Sequence, residues 1–149
     1  MSRDVRRIVT GLDTDGRARI ILDASVPRDD TTATTVWHTP TVPADNSGTT
    51  DVSPPFGFDL MHNGGTVFLL VRMPAGSQGK THATDTIDYI TIVSGTVILE
   101  LDGEEVALTP GMLCIDRGVL HSWRNDGPDE AVYTVVTIPA LPVGAGSTV

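Results

Sequence analysis

Cysteine is almost missing from this chain: Cys114 stands alone among 149 residues. A single thiol makes no internal disulfide and rules out the thiolate-rich ligand sets of structural zinc sites. Long apolar runs are missing as well. The longest, Val67–Val71, is far short of the roughly 20 residues that a membrane-spanning helix needs. Basic residues are scarce, with ten Lys and Arg against nineteen Asp and Glu, and the net charge is −9 at pH 7. Affinity for a phosphate backbone comes largely from cations that neutralise it, so this deficit argues against nucleic acid as a partner and against anionic membrane surfaces. Met1–Thr10 contains basic side chains with no apolar stretch behind them, so no signal peptide is expected and a cytoplasmic protein is the default. Helical periodicity is nearly absent too, which turns attention to strands.

What is present fits one domain. Apolar residues make up 40% and charged residues 19%, enough for a core and too little charge for a disordered acid. Short strands are expected at Val5–Val9 and Arg17–Leu22. Thr-, Pro- and Gly-rich sequence then fills Asp23–Pro55, where only Val36–Thr39 looks extended. Residues 1–65 therefore read as N-terminal strands plus an extended arm or covering loop. From Thr66 the pattern is regular: Thr66–Met73, Thr86–Val93, Thr96–Leu101, Glu104–Leu108, Met112–Ile115, Val119–Trp123 and Ala131–Ile138 alternate as strands do, with Gly and Pro turns between them. Asp102-Gly103 is a two-residue hairpin signal, because both residues tolerate the positive φ of such turns. Many short strands of this kind predict an all-β sandwich or small barrel over 66–138, with 139–149 as a flexible tail.

The period of two places His82, Thr84, Thr86, Asp88, Ile90 and Ile92 on one face if this stretch is extended, and the two isoleucines point that face inward. His121, Trp123 and Asn125 share a face by the same rule. A buried carboxylate is costly unless paired or bound to a cation. Two imidazoles with a carboxylate form a ligand set for a divalent metal, Fe, Mn, Zn or Ni, with His82, Asp88 and His121 as ligands. The same residues also suit metal-free acid or base work, or simple retention in a cavity. Thr84 is a candidate hydroxyl donor. Trp123, Thr86, Gln78 and His62 are candidate pocket-lining residues. Cys114, in a Met-Leu-Cys-Ile strand, reads as inert core, while Trp37 and His38 on the arm read as a lid or a dimer contact.

A glycine framework accompanies these residues. Gly76 is followed by five residues and His82, Thr84 falls two further on, Asp88 follows after three more, and six residues lead to Gly95. Downstream, Gly111 precedes Gly118, His121 and Asn125 at Gly-x-x-His-x-x-x-Asn spacing. This pattern resembles the two motifs of the cupin superfamily, and among its members the small single-domain bacterial cupins. Thr84 takes the place of that family's second histidine, Asp88 that of its glutamate, and Arg117 that of its proline.

The resemblance implies a jelly-roll β-barrel, a homodimer in which N-terminal arms are often exchanged, and one divalent metal. It also implies an enzyme: a metal-dependent lyase, dehydratase or isomerase acting on a small hydroxy or carbonyl compound, with His82, Asp88, His121 and Thr84 as catalytic residues. A non-haem iron dioxygenase is one alternative, and a metal-free small-ligand binding protein without turnover is the other. Thr84 in place of a histidine depletes the ligand set and favours the last.

Overall fold

The computed structural model describes residues 4–28 and 32–149. Parts of the N-terminal segment and of the arm, residues 1–3 and 29–31, lie outside the described residues. In chain order the elements are β1 (Arg6–Leu12), β2 (Ala18–Ser25), β3 (Ala33–Thr39), α1 (Phe58–His62), β4 (Thr66–Met73), β5 (Thr86–Ser94), β6 (Val97–Leu101), β7 (Glu104–Leu108), β8 (Leu113–Asp116), β9 (Ser122–Arg124) and β10 (Ala131–Pro139). They form a two-stranded sheet β1-β2, a five-stranded sheet β3-β4-β10-β5-β8 and a three-stranded sheet β7-β6-β9. All the pairings are antiparallel.

The expected jelly-roll barrel is not what forms. The chain makes three separate sheets, and none closes on itself. β3 and β8 end the larger sheet as edges, and β7 and β9 end the smaller one. Between β4 and β5, and again between β8 and β9, the backbone runs through turns around Pro74, Gly76 and Gly79 and around Arg117-Gly118. There the ladder shrinks to isolated bridges, Gln78 with Arg124 and His82 with His121, which tie the strand ends together without continuing a sheet. Strand alternation predicts which residues face inward; it carries no information on whether edge strands meet.

Alternation along β4, β5 and β10 sorts the larger sheet into two faces. Val67, Leu69, Val71 and Met73, with Ile90, Ile92, Tyr133 and Val135, face the three-stranded sheet and pack with Val97, Leu99, Leu108 and Trp123 into the main core. Leu70 and Val132 face the other way. They meet Val26 and Val36 in a second, smaller cluster that Val5 also touches. Leu70 is wholly buried there, which contributes roughly 2 kcal/mol by itself. The Thr-rich stretch around residue 33, read from sequence as irregular, enters the larger sheet as β3 because β4 offers it a partner edge. The one helix among the described residues, α1, has no capping side chain and is held by Met61, buried in the main core.

Two of the motif glycines have structural reasons. Gly95 has φ +73°, and a Cβ there would sit 2.8 Å from Ala131 Cα. Gly118 has φ +74°, and its Cβ would lie 3.1 Å from the carbonyl oxygens of both Thr84 and Thr86. A side chain at Gly118 would thus push on the strand entry that carries the candidate site. The C-terminal residues run back along the same entry: Thr148 N–H donates to Ala83 O at 2.9 Å, and Ser147 N–H donates to Asp85 Oδ1 at 2.9 Å.

Candidate functional site

The site forms where the two sheets are pinned together. His82 N–H donates to the His121 carbonyl at 2.9 Å and His121 N–H donates back to the His82 carbonyl at 3.0 Å. This pair of bonds sets the two imidazoles side by side, ring centroids 4.6 Å apart. Each ring is fixed through its Nδ1. His82 Nδ1 lies 2.8 Å from the Lys80 carbonyl, and His121 Nδ1 lies 2.8 Å from the Val119 carbonyl. A carbonyl only accepts, so both Nδ1 atoms carry hydrogen and Nε2 is the atom left free for chemistry.

Behind His121 stands Asp116, which the sequence reading did not single out. Its Oδ1 accepts from the N–H groups of Gly118 and Val119 at 3.1 and 3.3 Å, capping the turn. Its Oδ2 is 2.9 Å from His121 Nδ1, both side chains being buried. That Oδ2 receives no well-directed hydrogen bond, because the Nδ1 hydrogen points at the Val119 carbonyl. The contact is one of charge proximity. Asp116 also lies directly across from Asp88 in the β5–β8 register. The available signal was parity: Cys114 on β8 packs against the main core, so Asp116, two residues on, faces the same way.

Asp88 ends a short buried chain, in which Thr86 Oγ1 donates to Asp88 Oδ1 at 2.7 Å and Thr84 Oγ1 lies 2.7 Å from Thr86 Oγ1. Burial pushes the Asp88 carboxyl up to about 6; the Thr86 hydroxyl opposes the rise, and Asp116 adds to it. The two histidines are driven apart. Burial lowers His82, partly offset by the Lys80 carbonyl, and the net direction is down. Burial also works against the His121 imidazolium, but Asp116, the Val119 carbonyl and Asp88 outweigh it and hold His121 above the ordinary histidine value.

A cavity of about 410 Å³ opens on this group. His82, Asp88, His121 and Trp123 line it, together with Phe56, Phe58 and Met61 from the end of the arm and α1, and with Tyr133 of β10. Neither the arm aromatics nor Tyr133 was singled out by sequence, since the residues between motifs carry no spacing signal. Thr84 and Thr86 lie behind the wall and are not among the lining residues; Thr86 borders a separate cleft beside Arg117 and Val119. Gln78 turns outward and donates to Glu100 at 2.6 Å. His62 sits 3.5 Å from Ser147 Oγ, outside the lining. Trp37 lies in a cleft on the opposite side of the larger sheet.

The expected metal set is not assembled. Among the described residues no group of three or more His, Cys, Asp or Glu is placed to hold a metal ion. Both imidazoles present one free nitrogen, Asp88 is engaged by Thr86, and the position of the missing histidine holds a threonine hydroxyl bonded to another threonine. As placed, these residues do not form a ready ligand set, and no step is routed through a metal.

Residues 69–137 match the family model Cupin_2, described as a cupin domain. That stretch is a little under half of the chain, and it resembles the cupin superfamily. The chain is similar to fungal proteins. It is 34% identical over 97 residues to "Phomopsin biosynthesis cluster protein C'" of Diaporthe leptostromiformis, covering 60% of this chain and 50% of that one. It is 27% identical over 135 residues to "Cupin-domain-containing oxidoreductase fogC" of Aspergillus ruber, covering 84% and 66%. The chain thus spans about half the length of the first of these relatives. Among solved structures, a predicted oxalate decarboxylase of Thermotoga maritima is 25% identical with a TM-score of 0.47, over 58% of this chain and 77% of that one. No helix among the described residues is long and apolar enough to cross a membrane.

Proposed function

We propose that this protein is a metal-independent acid–base catalyst of the cupin type that isomerises or dehydrates a small hydroxy or carbonyl compound bound in the cavity. The observation that carries the reading is the His82–His121 pair: two adjacent imidazoles on a cavity wall, each with only Nε2 free, in environments that favour opposite protonation states. Titratable neighbours pushed apart in this way supply an acid and a base in one site. His82, neutral, takes a proton from the substrate at Nε2. His121, kept protonated by Asp116, gives one from its own Nε2 to the substrate oxygen or to a neighbouring carbon. A proton then passes from His82 back to His121, across rings 4.6 Å apart, and resets the site. The relatives named for biosynthesis clusters support a small organic molecule as substrate.

The test is solvent-deuterium exchange into the carbon next to the carbonyl of 1-tetralone, followed by NMR with protein dialysed against EDTA. Exchange above the buffer rate that survives chelation and is lost in His82→Asn and His121→Asn supports the proposal. Exchange that needs added Fe, Mn, Zn or Ni overturns it. Binding without exchange overturns it too, in favour of a small-ligand binding protein, the reading suggested by the mainly apolar cavity lining.

A homodimer remains part of the proposal. Phe68, Val136, Tyr89 and Ile115 lie in register across the outer face of the larger sheet. Phe68, Tyr89 and Ile115 are 38%, 47% and 55% exposed, an apolar row that a second copy would cover.

A further inference from the structure

Rings are rare in this chain and concentrated in one place. Of its three Phe, two Trp and two Tyr, four line the cavity: Phe56, Phe58, Trp123 and Tyr133. With the two histidines they make a continuous ladder, Phe56–Phe58–His82–His121–Trp123–Tyr133, with successive centroids 5.4, 5.3, 4.6, 5.7 and 5.3 Å apart. The ladder joins both sheets and the arm around one space. Among the described residues charge is sparse in the lining, where Lys80 is the one lysine or arginine and Asp88 the one carboxylate. An anionic ligand such as a sugar phosphate would meet the carboxylate without a cluster of cations to hold it.

At the Trp123 end of the ladder a polar group waits without a partner. Tyr133 is 4% exposed, it lines the cavity, and among the described residues its hydroxyl makes no hydrogen bond. A phenol with no protein partner that borders a cavity finds one only in what fills that cavity, water or a ligand. Its neighbours on β10 and β4 that share the face, Val135, Val71 and Leu69, are apolar and offer no acceptor.

We infer that the cavity selects a neutral, flat, conjugated ring compound, and that the Tyr133 hydroxyl donates a hydrogen bond to an oxygen of that ligand. The ring ladder grips the ligand faces and edges, and Tyr133 fixes which end enters, which leaves the reacting end at His82 and His121. Tyr133 is thereby a specificity-determining residue. This inference rests on the cavity being the binding site of the proposed function, and it names the substrate class.

Three probes test it on the full chain labelled with ¹⁵N: 2-naphthol, naphthalene and decahydro-2-naphthol, each titrated while the indole N–H resonances are followed. Trp123 reports the cavity, and Trp37, on the other face, is the control. The expected result is saturable movement of Trp123 with 2-naphthol, about tenfold weaker binding of the saturated alcohol, and about fivefold weaker binding of 2-naphthol to Tyr133→Phe with naphthalene affinity unchanged. As a check without a variant, the Tyr133 Cζ resonance moves with 2-naphthol and not with naphthalene. Equal affinity for the flat and saturated alcohols, or a Tyr133→Phe variant and a Cζ resonance both indifferent to the oxygen, overturns the inference while leaving the cavity as a binding site. No movement of Trp123 with any probe overturns both.

Discussion

The backbones of His82 and His121 exchange two hydrogen bonds, 2.9 and 3.0 Å long, in a bridge that belongs to no sheet. The bridge joins the lead-in to β5 to the lead-in to β9, so one histidine is carried toward each of the two facing sheets. Their imidazoles are held close by main-chain geometry, and their side-chain surroundings then differ. His121 Nδ1 has Asp116 beside it, whereas His82 Nδ1 meets the Lys80 carbonyl with no carboxylate in contact. The backbone sets the position of the rings, and the side chains behind them set the asymmetry.

That asymmetry is measurable. In ¹⁵N spectra of the imidazoles, His121 is expected to titrate above the ordinary histidine midpoint near 6.5 and His82 below it. Asp116→Asn keeps the Oδ1 cap on Gly118 and Val119 but removes the charge beside Nδ1. His121 should then titrate lower than in the parent, with His82 little changed and stability lowered by about 1 kcal/mol. An unmoved His121 midpoint would remove Asp116 from the site.

Asp88 gives a pH-dependent stability whose sign follows from its raised pKa. The folded state holds the proton up to about pH 6, against 3.8 for the free carboxyl, so it binds more protons than the unfolded chain in that window. Stability therefore falls as pH rises from about 4 to about 6 and stays lower above it. Asp88→Asn retains an acceptor for Thr86 and has no charge to bury. Urea unfolding should find it more stable than the parent by up to ~3 kcal/mol at pH 8 and equal to it at pH 4. A difference that is constant with pH would refute this.

Gly118→Ala combines a left-handed φ of +74° with a Cβ 3.1 Å from the Thr84 and Thr86 carbonyls. We expect a loss of roughly 1–3 kcal/mol and displaced His121 resonances, since the turn it distorts is the one that Asp116 caps. Gly103→Ala has positive φ with open space around it and serves as the comparison. It should cost less and leave His121 in place.

The exposed row on the larger sheet is checked by mass. Tyr89→Lys with Ile115→Lys places charge at the β5–β8 side of the outer face without touching the core cluster. Light scattering should find a dimer for the parent at micromolar concentration and a monomer for the double variant, with both folded. A parent that is already monomeric rejects the dimer.

Much of this protein is local and therefore readable in one dimension. Alternation placed the strands from Thr66 onward within a few residues of their observed bounds, because side-chain period follows from strand geometry and needs no partner. The glycines at 95 and 118 announced themselves because positive φ is a property of one residue. His82, Asp88, His121 and Trp123 were found by spacing, and each lines the cavity. Tyr133, Phe56, Phe58 and Met61 were missed because they lie outside the motifs and reach the cavity only through sheet register and the return of the arm, and Asp116 was missed because it falls at an unpatterned position of the second motif and meets His121 only in the fold.

Sequence by itself thus determined the strand order, the inward faces and the pair of histidines, all consequences of residue identity and near-neighbour geometry. Tertiary structure decided what depends on distant segments meeting. The sheet edges stay apart instead of closing a barrel, since pairing stops where turns replace strands. The carboxylates end behind an imidazole and beside a threonine instead of converging as metal ligands. Which nitrogen stays free, which histidine titrates higher and which rings share a cavity are set by burial and by contacts across the fold, and the order of residues along the chain does not encode these directly.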